Sequence, residues 1–161
     1  GAFTGLRVGL ATAIGLALSA DLPVYACCSL RSRAARAIEE YLSPVLSTLD
    51  ARKGRVYAAM YSAKGELTVE PGDVSPEVAV DWASKGTVVT GEGALVYRTL
   101  FEAAGLVVDR KAGDVSVINL ARIAAAELGT NAWMDPAEIA PVYIRPPDAQ
   151  KPKPSKLARI R

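Results

Sequence analysis

Apolar residues recur with different periods along the chain, and the change of period separates a helical opening from a strand-rich middle. Over residues 5–19, alanine and leucine occupy every side of a helix that Thr4 caps. A short buried strand follows at residues 23–28. Ser29 then caps a second helix that ends near residue 41 and places its charged side chains in water. Those charged residues are Arg31, Arg33, Arg36, Glu39 and Glu40.

The period changes to that of β-strands after residue 44. Three runs, VLSTLDA (45–51), RVYAAMYS (55–62) and ELTVE (66–70), are separated by turns that end in Gly54 and Gly65 and predict an antiparallel meander. Beyond it, the pattern predicts a helix at 75–84, a strand at 87–90, a helix at 92–104, a strand at 106–108 and a helix at 117–128.

Three antiparallel strands followed by alternating helices and strands are the element order of a ribonuclease-H-like half. Such halves are the repeating lobes of actin-like folds. We therefore predict the α/β class: an actin-like (ASKHA) two-lobe fold with its first lobe incomplete in this chain. Residues 1–43 would end the first lobe, 44–129 would form the second, and 130–161 would be a C-terminal segment with a basic, proline-rich tail. An incomplete lobe should leave apolar surface exposed.

Composition fits a protein that folds around a core, because 50% of the residues are hydrophobic and 22% are charged. A net charge of +2 excludes a strongly electrostatic nucleic-acid binder for the chain as a whole. The tail RPPDAQKPKPSKLARIR, from residue 145, is nevertheless markedly basic and rich in proline. We expect it to be extended, either as a solubilising tail or as a contact to nucleic-acid phosphate.

The chain has no histidine, which restricts its chemistry. Catalytic triads, Cys-His pairs and His-ligated metals are excluded, so general acid-base chemistry would have to come from carboxylates, lysine, tyrosine or cysteine. Cys27 and Cys28 are adjacent and should be free, buried thiols, as suits the cytoplasm. The 13 uncharged residues between Arg7 and Asp21 are too few to cross a bilayer. A signal peptide is the alternative, but the glycines within this stretch argue against export.

Four motifs carry a family resemblance. The stretch GAFTGLRVGLATAIGLAL (1–18) resembles the signature GxGSFTGLRxGxxxAxGLA of the TsaB (YeaZ) family of bacterial tRNA threonylcarbamoyladenosine biosynthesis proteins, which belongs to the glycoprotease-like (peptidase M22-like) superfamily. LDARKGRVYAAMY (49–61) is similar to the family's hairpin, APVYIR (140–145) to its closing P-x-Y-x-R, and TGEGALVY (90–97) to a glycine-rich turn. The family's opening third has no counterpart here.

The resemblance implies a scaffold subunit without a catalytic, cofactor or metal site. Members bind the catalytic paralogue TsaD and the ATPase TsaE in the complex that modifies position 37 of certain tRNAs, and they form homodimers in isolation. The paralogue holds its metal with a histidine pair that this chain lacks. The family's signature helix packs on a partner, so we expect an interface rather than a core helix here. The expected interface residues are Thr4, Gly5, Leu6, Arg7, Gly9, Leu10 and Ala13.

Several residues keep two interpretations at this point. Asp50 either caps the turn at 52–54 or binds phosphate or metal as in actin-fold ATPases, and the absence of a following Gly/Thr-rich loop favours the cap. Gly91 and Gly93 either start a helix or approach an adenosine. Arg7 is either a solvated flank or an interface anchor. The alternative function is an actin-fold nucleotide hydrolase or a glycoprotease-like peptidase.

Overall fold

The computed structural model describes residues 3–112, 116–130 and 132–145. Its α-helices are α1 (Phe3–Ala20), α2 (Ser29–Tyr41), α3 (Pro76–Asp81), α4 (Glu92–Val96), α5 (Arg98–Ala103) and α6 (Val117–Ala126). Its strands are β1 (Val24–Tyr25), β2 (Val45–Arg52), β3 (Arg55–Tyr61), β4 (Leu67–Val74), β5 (Val88–Thr90), β6 (Val107–Val108) and β7 (Trp133–Met134). A 3-10 helix spans Pro136–Glu138.

The main sheet has five strands in the order β4-β3-β2-β5-β6. The first three pair antiparallel as the predicted meander, whereas β5 is parallel to β2 and β6 is parallel to β5. In chain order this is third, second, first, fourth and fifth, the arrangement of a ribonuclease-H-like half. The α/β class and the meander are therefore confirmed. The division of the chain at residues 43 and 129 stays a prediction.

Alternate residues of β2 face two separate cores, because successive side chains of a strand point to opposite faces. Leu46 packs with Val89 and Phe101 in the core formed with α3, α4 and α5. Val45 packs on the other face with Leu30 and Ala34 of α2. The predicted helix at 92–104 is interrupted at Tyr97, so α4 and α5 are separate helices on the first face.

The outer strand β4 is irregular. Its pairing with β3 shifts register between Ala58 and Met60 and again between Met60 and Tyr61. Pro71 and Gly72 lie within it, and Leu67 at its start is exposed. Proline has no N–H to donate and occurs in sheets chiefly on edge strands or at bulges. The outer edge of the meander is thus irregular, and it lacks a backbone N–H donor at Pro71.

A second, two-stranded sheet was not predicted. Residues 23–28 do not form the expected buried strand; only Val24 and Tyr25 are in a strand, half-buried, and they pair antiparallel with β7. The rings of Tyr25 and Trp133 lie 5.9 Å apart between centroids. Two-residue strands 108 positions apart have no local signature, so the sequence pattern cannot reveal this pairing.

Three further expectations need correction around α2. Cys28, not Ser29, occupies the N-cap position and makes no side-chain cap hydrogen bond. Cys27 and Cys28 are free as expected but half-buried rather than buried. The arginines of α2 do not lie on a wet face, because all three are half-buried. Their partners include Glu127 on the segment after α6 and Asp109 after β6.

Gly91 fixes the junction of β5 and α4. It is the N-cap of α4 with φ of +95°, and a Cβ atom placed there would overlap the carbonyl oxygen of Thr48. Gly93 packs closely against the same threonine: a Cβ atom added to Gly93 would lie 3.0 Å from the Cβ of Thr48. The helix-start interpretation of these glycines is confirmed, and their close contacts are with Thr48 of β2 and, for Gly93, also with Val56 of β3.

We predict that Gly91→Ala lowers the free energy of unfolding by about 3 kcal/mol or more, because backbone strain and overlap add. Gly86→Ala is the matched control: Gly86 has φ of +84° but no atom within 4 Å of a Cβ, so only the strain of about 1–2 kcal/mol applies. Urea unfolding of both variants measures the difference. Equal losses would show that the contact with Thr48 does not constrain the junction.

Candidate functional site

The expected interface residues all lie on α1, and most of them are exposed. Leu10 is half-buried, while the other six are exposed. Large apolar side chains are bare around the helix: Leu6 is 51% exposed, Val8 60%, Leu16 67% and Leu18 56%. A Cβ atom at Gly5, Gly9 or Gly15 would have no atom within 4 Å. In the described structure α1 is therefore a largely solvent-exposed helix and not a core helix.

The buried residues that attach α1 to the rest of the chain lie towards its C-terminal end. Ala17 is buried, Ile14 is half-buried, and the helix contacts the 3-10 helix Pro136–Glu138. The chain after the helix folds back through a hydrogen bond from the Leu22 amide to the Ala17 carbonyl, at 3.0 Å. Among the helices that the structure describes, α1 included, none is long and apolar enough to cross a membrane.

Arg7 contacts the closing motif of the chain. Its Nε donates a hydrogen bond of 2.7 Å to the hydroxyl of Tyr143, and its guanidinium carbon lies 5.5 Å from the centroid of the same ring. The two interpretations of Arg7, solvated flank and interface anchor, both missed this intramolecular contact. The spacing of 136 residues gives no local signal for it.

The segment Ile139 to Arg145, which we call the C-terminal strap, runs from the 3-10 helix to the meander. Ile144 packs against the core cluster beneath α2. Arg145 donates to both carboxylate oxygens of Asp73, at 2.7 and 3.0 Å, and to the carbonyl oxygen of Ala51 at 3.0 Å. Its guanidinium carbon also lies 5.6 Å from the centroid of the Tyr57 ring. Arg145 thus anchors the strap, although the proline-rich sequence that begins with it predicts an extended tail.

Asp73 is the acceptor at which two arginines meet. Hydrogen bonds from Arg145, and then from Arg55 at 2.7 Å, hold the pKa of this carboxyl below its ordinary value despite the opposing effect of burial. Arg55 is 43% exposed and Arg145 20% exposed at their side chains. Sequence reasoning missed Asp73, because it lies in a strand beyond the last predicted strand residue.

Asp50 and the hairpin turn form a local structural unit. One carboxylate oxygen of Asp50 accepts a hydrogen bond of 2.9 Å from the Arg52 amide, and the other lies 3.4 Å from the Arg52 guanidinium. Lys53 and Gly54 have φ of 54° and 70°, as a two-residue hairpin loop requires. The turn-capping interpretation of Asp50 is confirmed by these contacts.

A buried carboxylate, Asp109, lies just after β6 and was also missed. It accepts hydrogen bonds from Thr90 Oγ1 at 2.6 Å, from the Lys111 amide at 3.0 Å and from the Arg36 guanidinium. The hydroxyl of Tyr41 lies 3.4 Å away, and burial and the charge of Asp109 raise the pKa of that tyrosine. With its oxygens so occupied, Asp109 joins α2 to the ends of β5 and β6 rather than offering a free base.

A groove of about 750 Å³ lies between the strap, β4 and the start of α2, with Cys28, Arg31 and Tyr61 in its wall. Burial raises the pKa of Tyr61, so this hydroxyl stays protonated at neutral pH. Within residues 3–112, 116–130 and 132–145, no three Cys, Asp or Glu side chains cluster as a metal site. Gly1, Ala2 and the tail beyond residue 145 lie outside the described residues.

Comparison with known proteins identifies the class. Residues 1–127 match the family model described as TsaD, tRNA N6-adenosine threonylcarbamoyltransferase. An uncharacterized protein of Mycobacterium tuberculosis H37Rv is 33% identical over 93% of this chain and 62% of its own length. The chain thus spans less than two thirds of that relative.

Two further comparisons narrow the family. The tRNA threonylcarbamoyladenosine biosynthesis protein TsaB of Escherichia coli K12 is 30% identical over 97% of this chain and 71% of its own length. The structure of YeaZ from Pseudomonas aeruginosa superimposes with a TM-score of 0.72 at 26% identity, over 89% of this chain and 68% of the other. The chain belongs to the TsaD family of actin-like proteins, and within it to the TsaB (YeaZ) group.

We predict that Asp73→Asn lowers the free energy of unfolding by about 2 kcal/mol at pH 7. Hydrogen bonds to a charged group contribute about 1.5–3 kcal/mol each. Because folding lowers the pKa of Asp73, its ionised form contributes stability above the unfolded pKa, and this is lost as pH falls through the folded value. The difference between wild type and variant in urea unfolding should therefore shrink below about pH 4.

Glu102→Gln is the matched control for this titration. Glu102 pairs with Arg98 at 2.8 Å, but both side chains are more than two-fifths exposed. An exposed pair contributes about 0–1 kcal/mol, so this variant should stay close to wild type throughout. A pH-independent difference for Asp73→Asn would contradict the role of its charge.

Proposed function

We propose that this chain is the scaffold portion of a TsaB-type subunit in tRNA threonylcarbamoyladenosine biosynthesis at position 37. It binds the catalytic TsaD-like paralogue through α1 and joins a TsaE-like ATPase in the same assembly. Family membership supports the pathway, since the E. coli relative is named for it. The observation that carries the binding proposal is the bare apolar surface of α1.

An exposed helix of this composition is costly to leave in water. Burying apolar surface contributes roughly 25 cal/mol per Å², and a fully buried leucine contributes about 1.5–3 kcal/mol. Leu6, Val8 and Leu16 are each at least half exposed. A partner that covers them therefore gains free energy that the isolated chain does not realise. Monomeric proteins rarely keep large contiguous apolar patches unless these bind something.

Small residues shape the surface for a second helix. Gly5, Gly9 and Ala13 are spaced four apart and form a stripe along α1. The absence of atoms near a Cβ at Gly5 or Gly9 leaves this stripe open for close approach of another backbone. Thr4, Leu6 and Leu10 border it. The same stripe serves a TsaD-like partner or, in isolation, a second copy of this chain.

The scaffold role is supported by what the candidate catalytic residues do in this chain. The sequence has no histidine for the metal pair of the catalytic paralogue. Asp50 caps a turn, and Asp109 is held by Thr90 and Arg36. An actin-fold nucleotide hydrolase or a glycoprotease-like peptidase would need a free acid or base. A contact between the basic tail and tRNA phosphate belongs to the same proposal, although the tail beyond residue 145 is outside the described structure.

We predict that Gly9→Leu weakens association about 10- to 100-fold, because overpacking at a helix crossing costs roughly 1–3 kcal/mol. The stability of the isolated chain should hold or rise by less than about 1 kcal/mol, since leucine favours helix over glycine and no described atom lies within 4 Å of a Cβ at this position. Titration calorimetry with a TsaD-type protein, sedimentation for self-association, and thermal melting measure these properties.

Gly15→Leu is the control for that variant. Gly15 also has open space around it, but it lies six residues beyond Gly9, which places it about 120° around the helix axis from that glycine. It should gain helix stability and keep its affinity. Equal loss of affinity in both variants, or none in either, would remove the stripe from the interface. Unfolding of Gly9→Leu would place the glycine in an internal contact.

We also predict that the purified chain hydrolyses ATP at well below about 1 per second, the low end for ordinary enzymes. Its residual rate should be unchanged in Asp50→Asn, because Asp50 caps a turn. Release of phosphate and cleavage of a glycoprotein substrate are the two assays. Turnover above that rate that disappears in Asp50→Asn would favour the nucleotide hydrolase instead.

A further inference from the structure

We propose that Tyr143 and Arg145 are positioning residues that hold the N-terminal half of α1 in its orientation, with Arg145 acting on α1 through the neighbouring strap residues Ile144 and Tyr143. The orientation of α1 is a property of the isolated chain. Its use in partner binding rests on the function proposed above.

The two halves of α1 are held differently. The C-terminal half has buried Ala17 and half-buried Ile14, and the Leu22 amide that follows the helix donates to the Ala17 carbonyl. In the N-terminal half, residues 4–9 are exposed, and Gly5 and Gly9 have no neighbour within 4 Å of a Cβ. Arg7 is the side chain through which this half reaches Tyr143, by a 2.7 Å hydrogen bond and a ring contact.

Consecutive residues of the strap contact three different parts of the molecule. Tyr143 contacts Arg7 of α1, Ile144 packs on the cluster beneath α2, and Arg145 reaches Asp73 at the end of β4. Because neighbouring Cα atoms are about 3.8 Å apart, a shift of one of these residues displaces the next. The position of the Tyr143 hydroxyl therefore depends on the two contacts that follow it.

Arg145 fixes the end of the strap to the main sheet through three hydrogen bonds. Its two hydrogen bonds to the carboxylate of Asp73 form a bidentate pair, which fixes direction as well as distance. The third bond, to the carbonyl of Ala51, attaches it to β2, the central strand of the sheet. The strap is not part of either sheet, so these side-chain contacts take the place of strand pairing.

The test is hydrogen exchange of the whole chain, followed by mass spectrometry, at a concentration where sedimentation shows a monomer. Arg145→Met should speed exchange of the α1 amides between residues 7 and 13 by about fivefold, although the contacts described for Arg145 are with Asp73, Ala51 and Tyr57. This corresponds to roughly 1 kcal/mol, near the net contribution of one hydrogen bond. Exchange in β2 and β5 should stay as in wild type.

Arg55→Met is the matched control. Arg55 donates to the same carboxylate, 2.7 Å from Nε to Asp73, but it lies on β3 and not on the strap. Its loss should leave α1 exchange unchanged. Equal acceleration in both variants, or no acceleration in Arg145→Met, would overturn the proposal.

Tyr143→Phe gives a second reading of the connection from its other end. The change removes the hydroxyl that accepts from Arg7 and keeps the ring. It should speed α1 exchange to a similar extent with no change in the rest of the chain. Unchanged α1 exchange in Tyr143→Phe would also overturn the proposal, so a folding failure of Arg145→Met does not decide the matter.

Affinity for a TsaD-type protein separates this inference from the proposed function. Arg145→Met and Tyr143→Phe should each weaken binding about fivefold, and Arg55→Met should not. If the wild-type chain fails to bind, the proposed function fails, while the exchange experiment still decides whether the strap positions α1. Faster α1 exchange with undiminished affinity would overturn the use of this orientation in binding.

Discussion

The fold depends on the central strand β2, which pairs with a strand on each side and contributes side chains to the core on each face of the sheet. It pairs antiparallel with β3 and parallel with β5, and its alternate side chains enter two cores. Val45 and Leu46 are both fully buried for this reason. The same strand supplies the Thr48 carbonyl that excludes any side chain at Gly91, and the Ala51 carbonyl that accepts from Arg145. The start of α4 and the end of the strap are thus both set by its backbone.

Features with a local cause were predictable from the sequence. The glycine turns give the meander, and the alanine- and leucine-rich composition of residues 5–19 gives the helix α1, whereas the interface hypothesis for this helix comes from the family resemblance. The helix predicted from residue 75 begins at that point, where Ser75 caps α3 and its hydroxyl accepts from the Val78 amide at 3.4 Å. Each of these depends on residues within a few positions of one another, so spacing alone carries the signal.

The contacts that hold α1 and α2 in place were not predictable in this way. Arg7 meets Tyr143 across 136 residues, and Arg36 meets Asp109 across 73. A charged residue on a helix normally indicates a solvated face, so Arg36 was expected in water. Its partial burial follows from its contact with Asp109 just after β6, whose position only the tertiary structure determines. For the same reason, the motif APVYIR carried a resemblance without a role for Tyr143 or Arg145.

The irregular outer strand of the meander has a consequence for aggregation. A sheet edge with regular, unpaired N–H and C=O groups is a template for strand addition by other chains. On β4 the two register shifts, together with Pro71, interrupt that template. Amyloid-like growth needs flat, in-register stacking of strands, which this edge does not offer. Copies of the chain that meet at high concentration are therefore directed towards contacts between side chains, and away from a continuous intermolecular sheet.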